Sequence, residues 1–405
     1  MRVLLLNDRI DPTGGSQLMT LALRDGLSSR GHEVRVLAST AGSDGPTQAD
    51  ATCFGSLGRV QTLSRTVNLS ATAALRRMLR DFDPQVVHVR AFLTQLSPAI
   101  LPLLRDRPSL MHAVMYDAVC PTSKKLLPDG RVCEQRAGWV CKQQCLSWPA
   151  FGVLMLQRGL FRRWRNCFDV MVANSQNTAD KLEADGLGPV RVVWNAVSET
   201  PARPPLVGPP RAVFVGRLSR EKGVDTALRA FALVHRDLPT ACLEVIGQGP
   251  ERSELEALAD RLGVGSAVTF TGRMSRRDAE AAAGGAWVQL VPSRWDEPFG
   301  LVTAEAMMRG TAVIASNRGG PAEVVEPGVT GFLHPPGDHT ALAEPLAAVL
   351  ADRDLAEALG AAGRRRARQH FSMDRCLDQF ENLYNQMLHR PSGHSVAPAP
   401  PLISE

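Results

Sequence analysis

Short apolar runs, each followed by a helical pattern, recur along this chain, and the series breaks once, at a proline-rich stretch over 199–210. Proline has no N–H for a strand ladder and clashes inside a helix, so Pro201, Pro204, Pro205, Pro209 and Pro210 read as a linker. Before the break, strands are expected at 2–7, 33–38, 85–89, 109–114, 170–173 and 190–193. Helices are expected at 16–30, 69–80 and 151–166, and from Ser175 onward. After it, strands are expected at 212–215, 243–246, 268–270, 288–291 and 312–314. Apolar runs of this length, without alternation, suit parallel strands covered on both faces. Two such series joined by a linker predict two doubly wound α/β domains facing a central cleft.

The chain has 405 residues, enough for two complete cores. No apolar run approaches the ~20 residues that span a bilayer. The start, Met1-Arg2-Val3-Leu4-Leu5-Leu6-Asn7-Asp8, is too short and too soon acidic for a secretory signal, so a cytoplasmic location is expected. The formal charge of +5 suits anionic substrates or an anionic membrane surface. No dense Lys/Arg stripe interleaves with aromatics, so nucleic acid is not an expected partner.

The chemistry concentrates in the second series. The run Ala212-Val213-Phe214-Val215 closes on Gly216-Arg217-Leu218, with Glu221-Lys222-Gly223 just beyond. Cations at the carboxyl end of a parallel strand, ahead of a helix, suit a diphosphate. Further on, Glu297-Pro298-Phe299-Gly300 leads to Glu305, with Pro298 expected to open a helix. Carboxylates there suit sugar hydroxyls, and cations and carboxylates in one site suit a nucleotide sugar.

These motifs, with Val245-Ile246-Gly247-Gln248-Gly249-Pro250 and Gly319-Gly320-Pro321-Ala322-Glu323, resemble the family 4 (group 1) retaining nucleotide-sugar glycosyltransferases. Gly14-Gly15, Val86-Val87-His88 and Asn174-Ser175 extend the likeness, more weakly, into the first half. The resemblance implies an α/β chain of the GT-B fold, with two Rossmann-like domains. An acceptor-side domain over 1–198 carries a Cys-rich insertion at 120–145. The donor domain covers 211–371, a terminal helix at 372–390 crosses back to the first domain, and 391–405 is expected to be disordered. The implied activity moves a hexosyl unit from a nucleoside diphosphate sugar to an acceptor hydroxyl, with retention. Epimerase or phosphorylase chemistry on the same fold, or binding without turnover, are the alternatives.

The resemblance also assigns roles. Arg217 and Lys222 would neutralise the leaving diphosphate, so that catalysis requires no metal. Glu297 would hold donor-sugar hydroxyls and Glu305 the ribose. The backbone of Phe299, Gly300 and Leu301 would point at the donor. Gly14, Gly15 and Gly247 would lie against the donor, and Arg273 and Met274 would flank the base. Counting back from Cys120-Pro121 puts Val114 at the family's catalytic His position. His112 either takes that role or is a core histidine, and Asp117 is a second polar candidate. His88 and Arg90 share a strand face at the acceptor side.

Cys120, Cys133, Cys141 and Cys145 crowd one insertion, where four thiolates would suit a structural zinc. Over 155–166, Arg158, Arg162, Arg163 and Arg165 alternate with apolar residues. This is a candidate for peripheral membrane contact, or a core-packed helix with a solvated arginine face.

Overall fold

In the computed structural model, residues 1–10, 14–42, 47–58 and 61–389 are described. The chain forms two units: Met1–Pro128, Cys133–Asn195 and the segment from Met373 make one, and Asp129–Val132 with Ala196–Ser372 make the other.

The first unit is built on seven parallel strands: β1 (Arg2–Asn7), β2 (Glu33–Ser39), β3 (Ala51–Cys53), β4 (Val86–Val89), β5 (Ser109–Ala113), β6 (Val170–Ala173) and β7 (Val190–Val192). Their order is β3-β2-β1-β4-β5-β6-β7, so the winding reverses between β1 and β4. Val3, Leu4, Leu5 and Leu6 of β1 are wholly buried, as a central strand covered on both faces requires. The second sheet repeats the plan with β8 (Arg211–Val215), β9 (Cys242–Ile246), β10 (Val268–Gly272), β11 (Val288–Val291), β12 (Ala312–Ser316) and β13 (Gly331–His334). Its order is β10-β9-β8-β11-β12-β13, with the reversal between β8 and β11. Phe214, Phe231, Leu243 and Leu346 fill its core.

Two strands escaped the sequence pattern. At three residues β3 is too short to show a period, and β13 begins on a glycine and holds only two apolar residues. The proline-rich stretch is laid against the second unit: Arg203 forks onto Glu357, with the closer contact at 2.8 Å, and its Nε donates to the carbonyl of Gly310.

The terminal helix Met373–Leu388 groups with the first unit. Arg30 there meets Asp374, Asp378 and Glu381 at 3.1, 2.6 and 2.7 Å. Leu377 lies where a side chain at Gly26 would have to go. The tail over 391–405 lies outside the described residues.

Candidate functional site

In the second sheet the reversal between β8 and β11 opens a crevice at the strands' carboxyl ends, where parallel sheets bind ligands. The chain leaves β8 through Gly216, whose N–H donates to Ile246, and Leu218 N–H donates to the carbonyl of Gln248 at 2.9 Å. Between them Arg217 is exposed and makes no ion pair among the described residues. Gly223 then adopts φ +65°, and a β-carbon there would fall 2.1 Å from the Pro292 carbonyl oxygen. Only glycine lets this turn approach the segment after β11 so closely.

That approach brings Lys222 to Glu297. The ammonium lies 2.7 Å from Glu297 Oε1 and 5.9 Å from the centroid of the Trp295 ring. Glu297 is buried, and the Ser293 hydroxyl donates to the same oxygen. Burying a carboxylate is costly without such partners. Its carbonyl accepts the N–H of Gly320 at 2.7 Å.

The helix Leu301–Arg309 begins three residues later than Pro298 suggests. Gly300, at φ +80°, ends the loop and caps the helix, and no side chain caps the first-turn N–H groups. Of the first-turn donors, the Thr303 N–H turns back to the Gly300 carbonyl at 2.9 Å. Phe299 is buried against Phe371. Glu305, one turn in, is 2.9 Å from Arg276. Burial pushes its carboxyl above the ordinary value, while Arg276 and Arg309 pull it down. Arg273, just past β10, is exposed, and Met274 packs against the cluster of Val213, Ile246 and Ala286. Gly247, between β9 and the next helix, donates its N–H to Gly272.

Sequence reasoning missed Ser293, Trp295 and Arg276. Arg276 and Trp295 act on residues distant in the chain, Ser293 on one four residues away, and no motif marked them; only their places after β11 and β10 could have drawn attention.

In the first unit, Gly14 precedes the helix Gly15–Ser29 that follows β1. His88 and His112 face the terminal helix. His88 Nδ1 is 2.7 Å from the Tyr384 hydroxyl and its Nε2 is 3.2 Å from His112 Nδ1. Both imidazoles are buried against Phe380, and burial holds them far below the ordinary histidine range. The geometry is that of a core pair, so the expectation of His112 as the relocated catalytic group and of His88 as an acceptor contact is corrected. The reason is register: His88 pairs with Leu110 and His112 with Val172, inside the sheet and not at its edge. Val114 is buried as well. Arg90 is the group of this face that sits past the end of β4.

Asp117, in the turn beyond β5, is pushed up to about 6 by burial, with Ser123 opposing through a hydrogen bond. Asp8 is also raised by burial, although it accepts from Thr94, Gln95 and Leu96.

The four cysteines of the insertion, Cys120, Cys133, Cys141 and Cys145, are free thiols. Among the described residues, no group of three or more His, Cys, Asp or Glu side chains is placed to hold a metal ion. Cys120 Sγ accepts from Lys125 N–H and lies by the Thr122 hydroxyl, while Cys133 donates toward the Gln135 carbonyl. Burial pushes the Cys141 and Cys145 thiols up, toward the protonated form.

In the basic helix, Trp148–Trp164, Arg158 is largely covered while Arg162 and Arg163 are exposed. Arg158 and Arg162 both bind Asp185, and Arg165 donates to the carbonyl of Gly186. Three of the four arginines over 155–166 are thus engaged by the protein itself, so that face is not simply solvated. Among the described residues, no helix is long and apolar enough to cross a membrane.

Comparison with known proteins agrees with this layout. Residues 199–366 match the family described as glycosyl transferases group 1, and residues 14–197 match the glycosyl transferase 4-like domain. Glycogen synthase of Mycobacterium tuberculosis is 29% identical over 300 residues, which cover 72% of this chain and 66% of that protein. Sucrose-phosphate synthase of Thermosynechococcus elongatus has the same fold, with a TM-score of 0.73 at 23% identity, covering 95% of this chain and 98% of that one. Anabaena HepE, solved in complex with UDP-glucose, gives a TM-score of 0.68 at 19% identity, covering 95% and 100%.

Proposed function

The chain belongs to the group 1 glycosyltransferases, its two matched domains together taking in most of its length, and from that premise we propose that it moves a hexosyl unit from a nucleoside diphosphate sugar to an acceptor hydroxyl with retention of configuration. The observation that carries this reading is the Lys222–Glu297 pair beside the unpaired Arg217 at the reversal of the second sheet.

In this reading the donor diphosphate lies between Arg217 and Lys222. Negative charge builds on the leaving phosphate as the glycosidic bond breaks, so fixed cations there stabilise the transition state more than the ground state. Lys222 is held in place beforehand by Glu297, which leaves little reorganisation at the moment of reaction. Glu297 keeps one oxygen on Lys222 and Ser293 and offers the other to a sugar hydroxyl. Glu305 takes the ribose hydroxyls, and the open N–H groups after Gly300 face the donor. The departing phosphate accepts the acceptor's proton on the same face, giving retention. No metal ion enters this scheme, because the two cations balance the charge. The UDP-glucose bound by Anabaena HepE supports a nucleoside diphosphate hexose as donor.

The test is a panel of nucleotide hexoses with product analysis by NMR. An α-linked product from an α-linked donor is expected. A β-linked product would overturn retention, and donor binding without any transfer across a broad acceptor panel would overturn the enzymatic reading.

A further inference from the structure

Between β1 and β4 the first sheet has its own reversal, and Arg90 is the residue that follows β4 there. Its N–H donates to the Leu6 carbonyl at 2.9 Å, which places it beside Asn7 at the end of β1. The residue is 2% exposed, and none of its three guanidinium nitrogens has a hydrogen-bond partner among the described residues. A guanidinium carries five donors and a fixed charge, and buried charges are otherwise paired.

Among the described residues, no carboxylate is found acting on it. The ionisable groups that act on it are Cys376 and Tyr384, and it acts in turn on His88 and His112. Burial pushes Cys376 up to about 12 and Tyr384 well above its ordinary value, and it keeps both imidazoles uncharged. Arg90 is itself lowered to about 10 by burial, which still leaves it cationic at neutral pH. Two further polar atoms at this edge, Oδ1 of Asn7 after β1 and Oδ1 of Asn174 after β6, are also buried without a partner. Amide oxygens accept from hydroxyls. A buried cation with amide oxygens at the carboxyl edge, at the reversal of a parallel sheet, is complementary to an anionic polyol.

We infer that Arg90 receives an oxyanion carried by the acceptor, so that the acceptor is a hydroxylated phosphate or carboxylic acid and not a neutral sugar. The inference rests on the glycosyltransferase reading only for the word acceptor; the anion site stands or falls separately.

The experiment uses the full chain and titrates inorganic phosphate against chloride of equal ionic strength, reading the melting temperature. Wild type is expected to gain stability with phosphate, and Arg90→Met is expected to lose that gain, with phosphate affinity lower by about 30-fold or more. Arg90→Lys should recover part of it. Arg217→Gln, which lacks a cation in the other unit, should keep it. Without added anion, Arg90→Met should melt no lower than wild type, because it removes an uncompensated buried charge. A phosphate response lost in Arg217→Gln and kept in Arg90→Met would overturn the inference, as would no response in wild type.

Transfer assays then separate the sources of the anion, with glycerol 3-phosphate, glucuronate and glucose as acceptors. Arg90→Met should raise KM for whichever charged acceptor is used, leave kcat within a few-fold, and leave nucleotide-sugar affinity unchanged. Equal transfer to glucose and to both acids by wild type would also overturn it. Failure of the protein to bind any nucleotide sugar would sink the donor reading while leaving the phosphate titration interpretable.

Discussion

Lys222 and Glu297 illustrate how one contact serves two ends. The ammonium pairs with a buried carboxylate and, in the proposed reading, would meet the donor diphosphate. Lys222→Ala should lower kcat/KM by on the order of 10²–10³, the effect of losing one preorganised charge-stabilising group, and Arg217→Ala should do likewise. The two differ in stability: Lys222→Ala leaves Glu297 with only Ser293 and should lower the melting temperature, whereas exposed Arg217 should not. Calorimetry beside steady-state kinetics distinguishes these outcomes. Asp117 gives a pH signature. Its folded value of about 6 lies above the ordinary 3.8, so between those values the unfolded chain releases its proton first. Stability therefore falls as pH rises through that window and is flat above it. Asp117→Asn lacks this loss, and its advantage over wild type should grow to on the order of 2 kcal/mol by about pH 6. Denaturant titrations across the window measure it, and parallel curves for the two proteins would contradict the assignment.

Two close approaches between elements hold the geometry. The helix Gly319–Val324 meets the loop before Leu301–Arg309 so tightly that a β-carbon on Gly320 would lie 2.3 Å from Phe299 Cα. Gly320→Ala must push the loop aside, at a cost of about 1–3 kcal/mol. It should weaken donor binding without touching a charged group, as isothermal titration would report. In the first unit, the terminal helix is held at one side by the Arg30 fork and at its apolar face by Tyr384 on His88. Tyr384→Phe leaves His88 Nδ1 buried without a partner and should cost about 1–3 kcal/mol. Nucleotide-sugar affinity should stay unchanged, because the proposed donor residues belong to the other unit.

Across the whole molecule, each unit repeats one plan: a parallel sheet whose order reverses once, with the proposed sites at the carboxyl ends beside the reversal. The second sheet presents a paired lysine, an exposed arginine and two carboxylates there; the first presents a buried arginine and amides. A nucleoside diphosphate hexose that binds the folded chain must raise its melting temperature, by about 2.7 kcal/mol of added stability at a hundred times its dissociation constant. Arg217→Ala with Lys222→Ala should abolish that shift. A shift of full size in the double variant would place the nucleotide elsewhere.

The sequence by itself determined the two α/β series, the break between them and most of the residues of the proposed donor site. Apolar runs such as Val213 to Val215 must be covered on both faces wherever they fold, and Arg217, Lys222, Glu297 and Glu305 stand at strand ends and helix starts in linear order. Spacing did not reveal which candidates meet. Lys222 reaches Glu297 because Gly223 packs against Pro292, a contact between segments far apart in the chain. His112 looked like a catalytic group because a strand's period shows which side chains share a face, but not how deep in the sheet they lie. Register with β6 put it in the core beside His88, under a helix that begins more than 250 residues later. The arginines of 158–165 gave a local pattern of charge, and only the fold supplied Asp185. Arg90 shows the same division: its place at the end of β4 was legible, but a cation's lack of any partner is a property of everything packed around it.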